Sequence, residues 1–185
     1  MLQIVIQGRG GQGAQLAGNL LAMAFFEEGR EVQSFATYGG ARRGTPVSSF
    51  IRVDERPIRV RCDIEKADAI LCFDSSLLDA RLLACARPDT LIVANSRRTA
   101  KQFATEFPAY RVLPADGMAI AQRNGLGRIV NSALLGAFAR AVGAPSLETL
   151  SRALRDSAPK SKEENVQACI EGYRQIDAQM LGAAA

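Results

Sequence analysis

The chain opens on Leu2-Gln3-Ile4-Val5-Ile6, an apolar run rich in β-branched residues that predicts a strand. Gly8-Arg9-Gly10-Gly11-Gln12-Gly13 follows almost at once. From Ala14 the apolar spacing changes to three and four: Leu16, Leu20, Met23 and Ala24 predict a helix that stops at Gly29. Residues 31–35 predict a second strand, so the opening reads as a βαβ unit.

A glycine-rich loop from Thr37 to Pro46 interrupts this alternation. Residues 47–53 and 58–61 then predict a hairpin around Asp54-Glu55-Arg56-Pro57. Further on, 67–73, 90–94 and 110–113 predict strands, and 75–86 and 99–107 predict helical stretches between them. The rest is helical by period at 115–122, 131–142, 146–155 and 162–178, with Pro145, Ser146 and Glu148 as helix-start signals. Residues 182–185 read as a frayed end, and neither a repeat nor a polar linker divides the chain. The expectation is one α/β domain over residues 1–185. Its single open, mostly parallel sheet carries helices on both faces and a Rossmann-like glycine turn after the first strand.

Composition narrows the chemistry. With 185 residues, 48% of them hydrophobic, the chain can bury one core. No apolar run approaches the roughly 20 residues of a membrane span, and MLQIVIQ lacks the basic start of a signal peptide, which makes the cytoplasm the default location. There is no histidine, which excludes Ser-His and Cys-His catalysis and histidine metal sites. The four cysteines have no CxxC spacing, so the chain alone holds no Fe–S cluster and no disulfide framework; Cys62 and Cys72 read as small buried hydrophobes. The basic residues, 19 Arg and 4 Lys, suit phosphates or carboxylates, but 6% aromatics and no Trp argue against a nucleic-acid platform.

Gly8, Gly10 and Gly13 fit G-x-G-x-x-G between a strand and a helix. Glycine there permits the tight turn and lets the free N–H groups of the helix start approach an anion. A dinucleotide site also wants an acidic residue at the end of the second strand; here that end is Ser34-Phe35-Ala36-Thr37, with Glu31 at the opposite end. The turn therefore reads as a phosphate site or as a tight turn without a ligand. In the second loop Arg42 and Arg43 stand among glycines, as partners for a pyrophosphate or ribose phosphate or as solvated turn residues.

Gly8 to Gly13, Tyr38-Gly39-Gly40-Ala41-Arg42-Arg43-Gly44, Ile51-Arg52-Val53 with Pro57-Ile58, and Asn131-Ser132-Ala133-Leu134-Leu135-Gly136-Ala137 occur in order. Together they resemble the gamma subunit, or gamma domain, of the 2-oxoacid:ferredoxin oxidoreductases, which act on pyruvate, 2-oxoglutarate, indolepyruvate or phenylglyoxylate. Asp68 to Leu71 and Asn165 to Gly172 also fit, so the resemblance covers nearly the whole chain.

The resemblance implies a subunit of an enzyme that converts a 2-oxoacid and coenzyme A to acyl-CoA and carbon dioxide. Thiamine diphosphate, Mg and Fe–S clusters would sit on alpha, beta and ferredoxin-like delta partner subunits, with ferredoxin or an NAD-reducing flavin subunit as acceptor. By the same resemblance, Gly8 and Arg9 belong to the coenzyme A turn, and Gly10, Gly11, Gln12 and Gly13 offer backbone donors to the phosphates. Arg42 or Arg43 supplies the second loop's cation, Asn131 bonds the nucleotide end, and Lys160 or Lys162 adds a weaker contact. An N-cap is the alternative for Asn131 and a solvated turn for the lysines. Two other functions compete. One is a stand-alone NAD-dependent Rossmann dehydrogenase; the other is an assembly subunit with a vestigial turn. Phe25-Phe26 and the Phe103 to Phe107 stretch are candidates for a partner surface or for core.

Overall fold

The computed structural model describes residues 1–38 and 44–182. Six strands are β1 (Leu2–Arg9), β2 (Glu31–Tyr38), β3 (Pro46–Asp54), β4 (Ala69–Cys72), β5 (Leu91–Asn95) and β6 (Arg111–Ala115). The helices are α1 (Ala14–Glu27), α2 (Ala80–Leu83), α3 (Ala100–Glu106), α4 (Gly117–Arg123), α5 (Asn131–Val142), α6 (Leu147–Ser157) and α7 (Lys162–Gly182). Arg42 and Arg43, and residues 183–185 of the expected frayed end, lie outside the described residues. Among those described, no helix is long and apolar enough to cross a membrane.

The strands form one open sheet in the order β2-β3-β1-β4-β5-β6. β1, β4, β5 and β6 pair in parallel, whereas β3 runs antiparallel to both β1 and β2. Only β3 is reversed, so the sheet is mostly parallel as expected, but its first half is arranged differently. β3 inserts between β1 and β2, pairing Leu2 with Val53 on one side and Glu31 with Asp54 on the other. The expected 58–61 strand does not form. β3 has both edges filled, and no position beside it is vacant.

The expected helix over 75–86 is also divided, into a 3-10 turn at Ser75–Leu77 and the short α2. Asp74 and Asp79 each cap one piece: the Asp79 carboxylate accepts from Arg81 N and Leu82 N and restarts the helix. In contrast α5 has the expected bounds, and Ser146 caps α6 by accepting from Thr149 N at 3.1 Å.

Each face of the sheet has its own apolar layer. Ile4, Ile6, Ile51, Leu71 and Val93 meet α1, α5, α6 and α7, while Val5, Phe50, Ile70 and Ile92 meet Leu78, Leu82 and Phe103. Each fully buried side chain of this size stabilises the fold by about 1.5–3 kcal/mol. Phe25 and Phe103 are buried here, leaving Phe26 exposed on α1.

One charged residue is buried in the second layer. Arg52 on β3 is 1% exposed and has no carboxylate partner among the described residues. Instead it donates to Gln33 Oε1 at 2.8 Å, the Cys62 carbonyl at 2.7 Å and the Asp63 carbonyl at 3.2 Å, and lies over the Phe35 ring. These bonds fasten residues 62–63 to the sheet from below. Cys62 itself is exposed, which corrects its reading as a buried hydrophobe; Arg52 Nη2 holds it by the backbone carbonyl and, at 3.8 Å, by the sulfur.

Helices α5 and α7 cross through glycine. A Cβ on Gly136 would stand 1.9 Å from the Cys169 carbonyl oxygen, and one on Gly172 1.9 Å from that of Ala133. Backbone lines both contacts, so nothing there can rotate aside. Gly136→Ala and Gly172→Ala are each expected to cost about 3 kcal/mol or more, measured by denaturant unfolding.

Candidate functional site

The turn after β1 is held together by its own polar groups. Gly13 lies in the left-handed region at φ 85° and starts α1 with no side-chain cap. Gln12 folds back so that its Oε1 accepts from Arg9 N at 2.6 Å, while Gln12 N donates to the Arg9 carbonyl. Gly10 N donates to the Thr45 carbonyl at 2.8 Å, tying the turn to the start of β3. Of the four backbone donors expected of Gly10 to Gly13, those of Gly10 and Gln12 are therefore engaged within the protein. The N–H groups of Gly11, Gly13 and Ala14 have no acceptor among the described residues. They lie at the positive end of α1 and can receive an anion.

Gly8 is buried, with Ala14 and Phe73 each 3.1 Å from where its Cβ would lie. Gly18, one turn further on, lets α1 approach β3; a Cβ there would sit 2.2 Å from Ser49 Oγ. Glycine at both positions keeps the helix close to the sheet.

β1 leads into α1 on one face of the sheet, and β4 leads to Leu77, Leu78 and Leu82 on the other. Between β1 and β4 is the topological switch point, where open α/β sheets receive ligands. Arg9 closes it. Its Nε donates to Asp74 Oδ2 at 2.7 Å and its Nη2 to Ser76 Oγ at 2.9 Å. Ser76 in turn donates from its hydroxyl and its N–H to Asp74 Oδ1. Burial works against the ionisation of Asp74. Bonds from the Ser76 hydroxyl, the Arg9 guanidinium and the Ser76 N–H outweigh it, holding the carboxyl below its ordinary range.

Asn131 opens α5 but does not cap it; Val130 occupies the N-cap position. The Asn131 side chain is buried and its Nδ2 donates to the Gly13 carbonyl at 2.9 Å. Ala17 N donates to the same oxygen. A residue separated from the turn by most of the chain therefore fixes its geometry, an arrangement neither the ligand nor the N-cap reading anticipated.

Asn131 also lines a cavity of about 350 Å³. Leu16, Leu20, Leu126, Ile129 and Leu154 make its apolar wall, and Lys160 is on its rim. Ser132 Oγ donates to Asn165 Oδ1 at 2.6 Å inside it, and Asn165 Nδ2 donates to the Ser161 carbonyl at 2.8 Å. Asn131 and Lys160 thus line one cavity, and Asn131 links it to Gly13, which is not part of the lining; exposed Lys162 lies two residues after Lys160 at the start of α7. Asp74 and Ser76 were not singled out from sequence, and Ser132 and Asn165 entered only within segments that carry the resemblance, without a role of their own. The Asp-Ser-Ser run after a strand is the one local signal, and it marks a cap as readily as a site.

Among the described residues no cluster of three or more Cys, Asp or Glu is arranged to hold a metal ion. Cys72 and Cys169 are buried, and burial pushes each thiol up to about 12. Neither is a thiolate at neutral pH.

The family model described as pyruvate ferredoxin/flavodoxin oxidoreductase matches residues 3–175. The chain is 34% identical over 181 residues to the pyruvate/ketoisovalerate oxidoreductases common subunit gamma of Pyrococcus furiosus, covering 96% of this chain and 98% of that one. It is 35% identical over 179 residues to pyruvate synthase subunit PorC of Methanothermobacter marburgensis, covering 95% and 98%. The crystal structure of pyruvate oxidoreductase subunit PORC from Thermotoga maritima superposes with a TM-score of 0.82 at 26% identity, over 94% of this chain and 95% of that one. A 2-oxoglutarate:ferredoxin oxidoreductase from Magnetococcus marinus, solved with 2-oxoglutarate, coenzyme A and succinyl-CoA bound, shares the fold. Its TM-score is 0.80 at 22% identity, over 96% of this chain and 31% of that one.

Two outcomes follow for the turn. Gly13→Ala forces a side chain into the left-handed region with Asn131 Nδ2 only 2.5 Å from the new Cβ, and is expected to cost about 2–3 kcal/mol in denaturant unfolding. The folded pKa of Asp74 lies below its unfolded value, so its contribution is present above the unfolded carboxylate range and is lost as pH falls through the folded one. Asp74→Asn is expected to lower Tm at neutral pH and to shrink the further drop on acidification to about pH 3.

Proposed function

We propose, from a chain that belongs to the pyruvate ferredoxin/flavodoxin oxidoreductase family as a gamma-type subunit, that its own task in the complex is to hold coenzyme A. The observation that carries this reading is the link that Asn131 makes between the glycine turn and the cavity. Asn131 bonds the Gly13 carbonyl and also lines the cavity, so one side chain connects the turn that carries the open N–H groups to the apolar pocket. A ligand that suits both has phosphate at one part and a long, weakly polar arm or base at another. Coenzyme A has that shape, and a cavity of about 350 Å³ is of a size to take part of it.

In this reading the phosphates meet Gly11, Gly13 and Ala14 N–H, and Lys160 supplies a cation from the opposite rim. Arg42 and Arg43 supply the second loop's charge. Gln12 Oε1 and the Arg9 Nε and Nη2 act by holding the turn, since they already bond within the protein. The complex as a whole converts a 2-oxoacid and coenzyme A to acyl-CoA and carbon dioxide. Thiamine diphosphate and Mg supply the decarboxylation chemistry, and Fe–S clusters carry electrons, on alpha, beta and delta partners. The final acceptor is ferredoxin or an NAD-reducing flavin subunit.

The stand-alone NAD-dependent dehydrogenase is not favoured. Its ribose contact requires β2 beside β1, but β3 lies between them and moves the end of β2 away by about 5 Å more than a direct neighbour. The Arg9–Asp74–Ser76 group also fills the crevice that a dinucleotide would cross.

The test is calorimetric titration of the full chain with coenzyme A and with NAD, paired with turnover of the assembled complex. Coenzyme A is expected to bind and NAD not. Lys160→Ala is expected to raise KM for coenzyme A by about threefold, and Arg42→Ala with Arg43→Ala by about tenfold, with kcat largely kept. Turnover and coenzyme dependence untouched in both variants would leave the assembly-only role and end the coenzyme reading.

A further inference from the structure

The 58–61 segment, read from sequence as a strand, pairs with nothing. Residues 57–61 run without turn or bend between β3 and β4. The backbone N–H and C=O groups of residues 58–61 form no hydrogen bond with any described residue. Unpaired strand-like backbone at a surface is a ready template for another strand.

Its side chains narrow the choice of partner. Arg56, Arg59 and Arg61 are all exposed, and none has a carboxylate within ion-pair distance among the described residues. Glu55, just before them, is already paired with Arg30 at 2.8 Å; the exposed acids Asp63 and Glu65 lie beyond the run. Arg59 and Arg61 alternate with Ile58 and Val60, which in an extended chain puts the charges on one side and the apolar residues on the other. Val60 is 42% exposed.

Both ends of the segment are held. Asp54 Oδ1 accepts from Glu55 N and Arg56 N at the start, and buried Arg52 grips the Cys62 and Asp63 carbonyls at the end. A segment fixed at both ends loses less conformational entropy on binding than a free loop.

We propose that residues 56–61 are a docking strand for an acidic, extended segment of a partner subunit in the same complex. Backbone pairing supplies affinity, and Arg56, Arg59 and Arg61 select a partner of opposite charge. A second copy of this chain would bring three more arginines to the same place and is disfavoured by charge. A nucleic acid would use the arginines but not the alternating backbone groups. The proposal stands apart from the coenzyme reading, because the residues that carry it are not those of the glycine turn or the cavity.

The experiment uses the full chain and the partner chains of its own complex. Arg59→Glu with Arg61→Glu is expected to weaken assembly about tenfold at roughly physiological salt, and raising salt is expected to weaken wild-type assembly in the same direction. Arg59→Lys with Arg61→Lys keeps most of the affinity. The isolated variants hold their Tm to within about 1 °C because the side chains are exposed, which separates lost docking from lost folding. Hydrogen exchange at the amides of residues 58–61 slows on assembly. Assembly unchanged by the charge reversal, or unchanged exchange at these amides, overturns the proposal. So does loss of RNA binding by the reversal variant while assembly stays intact.

Discussion

One hydrogen bond, from Asn131 Nδ2 to the Gly13 carbonyl, joins the two parts of the molecule that matter most. Gly13 belongs to the turn between β1 and α1, and Asn131 opens the most deeply buried helix, α5. The bond carries the position of α5, fixed by Gly136 and Gly172 against α7, into the geometry of the turn. It satisfies a carbonyl at the helix start and leaves the N–H groups on the other side open. A cavity bounded by α1, α5, α6 and the start of α7 has Asn131 in its wall, and through Asn131 it is tied to the turn.

The sheet order is the second constraint. By placing β3 between β1 and β2, the chain abandons the neighbour relation on which dinucleotide recognition relies. Arg9 then seals the switch point with Asp74 and Ser76. The fold keeps the glycine turn of a nucleotide-binding unit but ties its Gly13 carbonyl to α5 through Asn131. The same chain has its charged, unpaired strand-like segment between β3 and β4, away from the glycine turn and the cavity in sequence.

Much of this was legible from local pattern. The apolar period over 131–142 marks α5 to the residue, and the glycine spacing marks the turn. What was illegible depends on pairing at long range. The alternation at 58–61 has the look of a strand, but strandedness requires a vacant edge, and β3 has none. Arg9 reads as part of a coenzyme turn because its partner Asp74 is 65 positions away, and Asn131 as a ligand contact or an N-cap because Gly13 is 118 positions away. Cys62 shows the same limit: the alternation around it suggests burial, whereas the residue is exposed and held from below by Arg52. The site residues of the second glycine loop, Arg42 and Arg43, lie outside the described residues.

The most direct measurement is amide hydrogen exchange on the assembled complex with and without coenzyme A. The account predicts slowed exchange in three stretches of this chain, 10–17, 126–132 and 157–165, which are the turn, the start of α5 and the rim bearing Lys160. Protection at 74–79 instead would place the ligand across the β1/β4 crevice, and no protection anywhere in the chain would remove coenzyme A from it; either result contradicts the account.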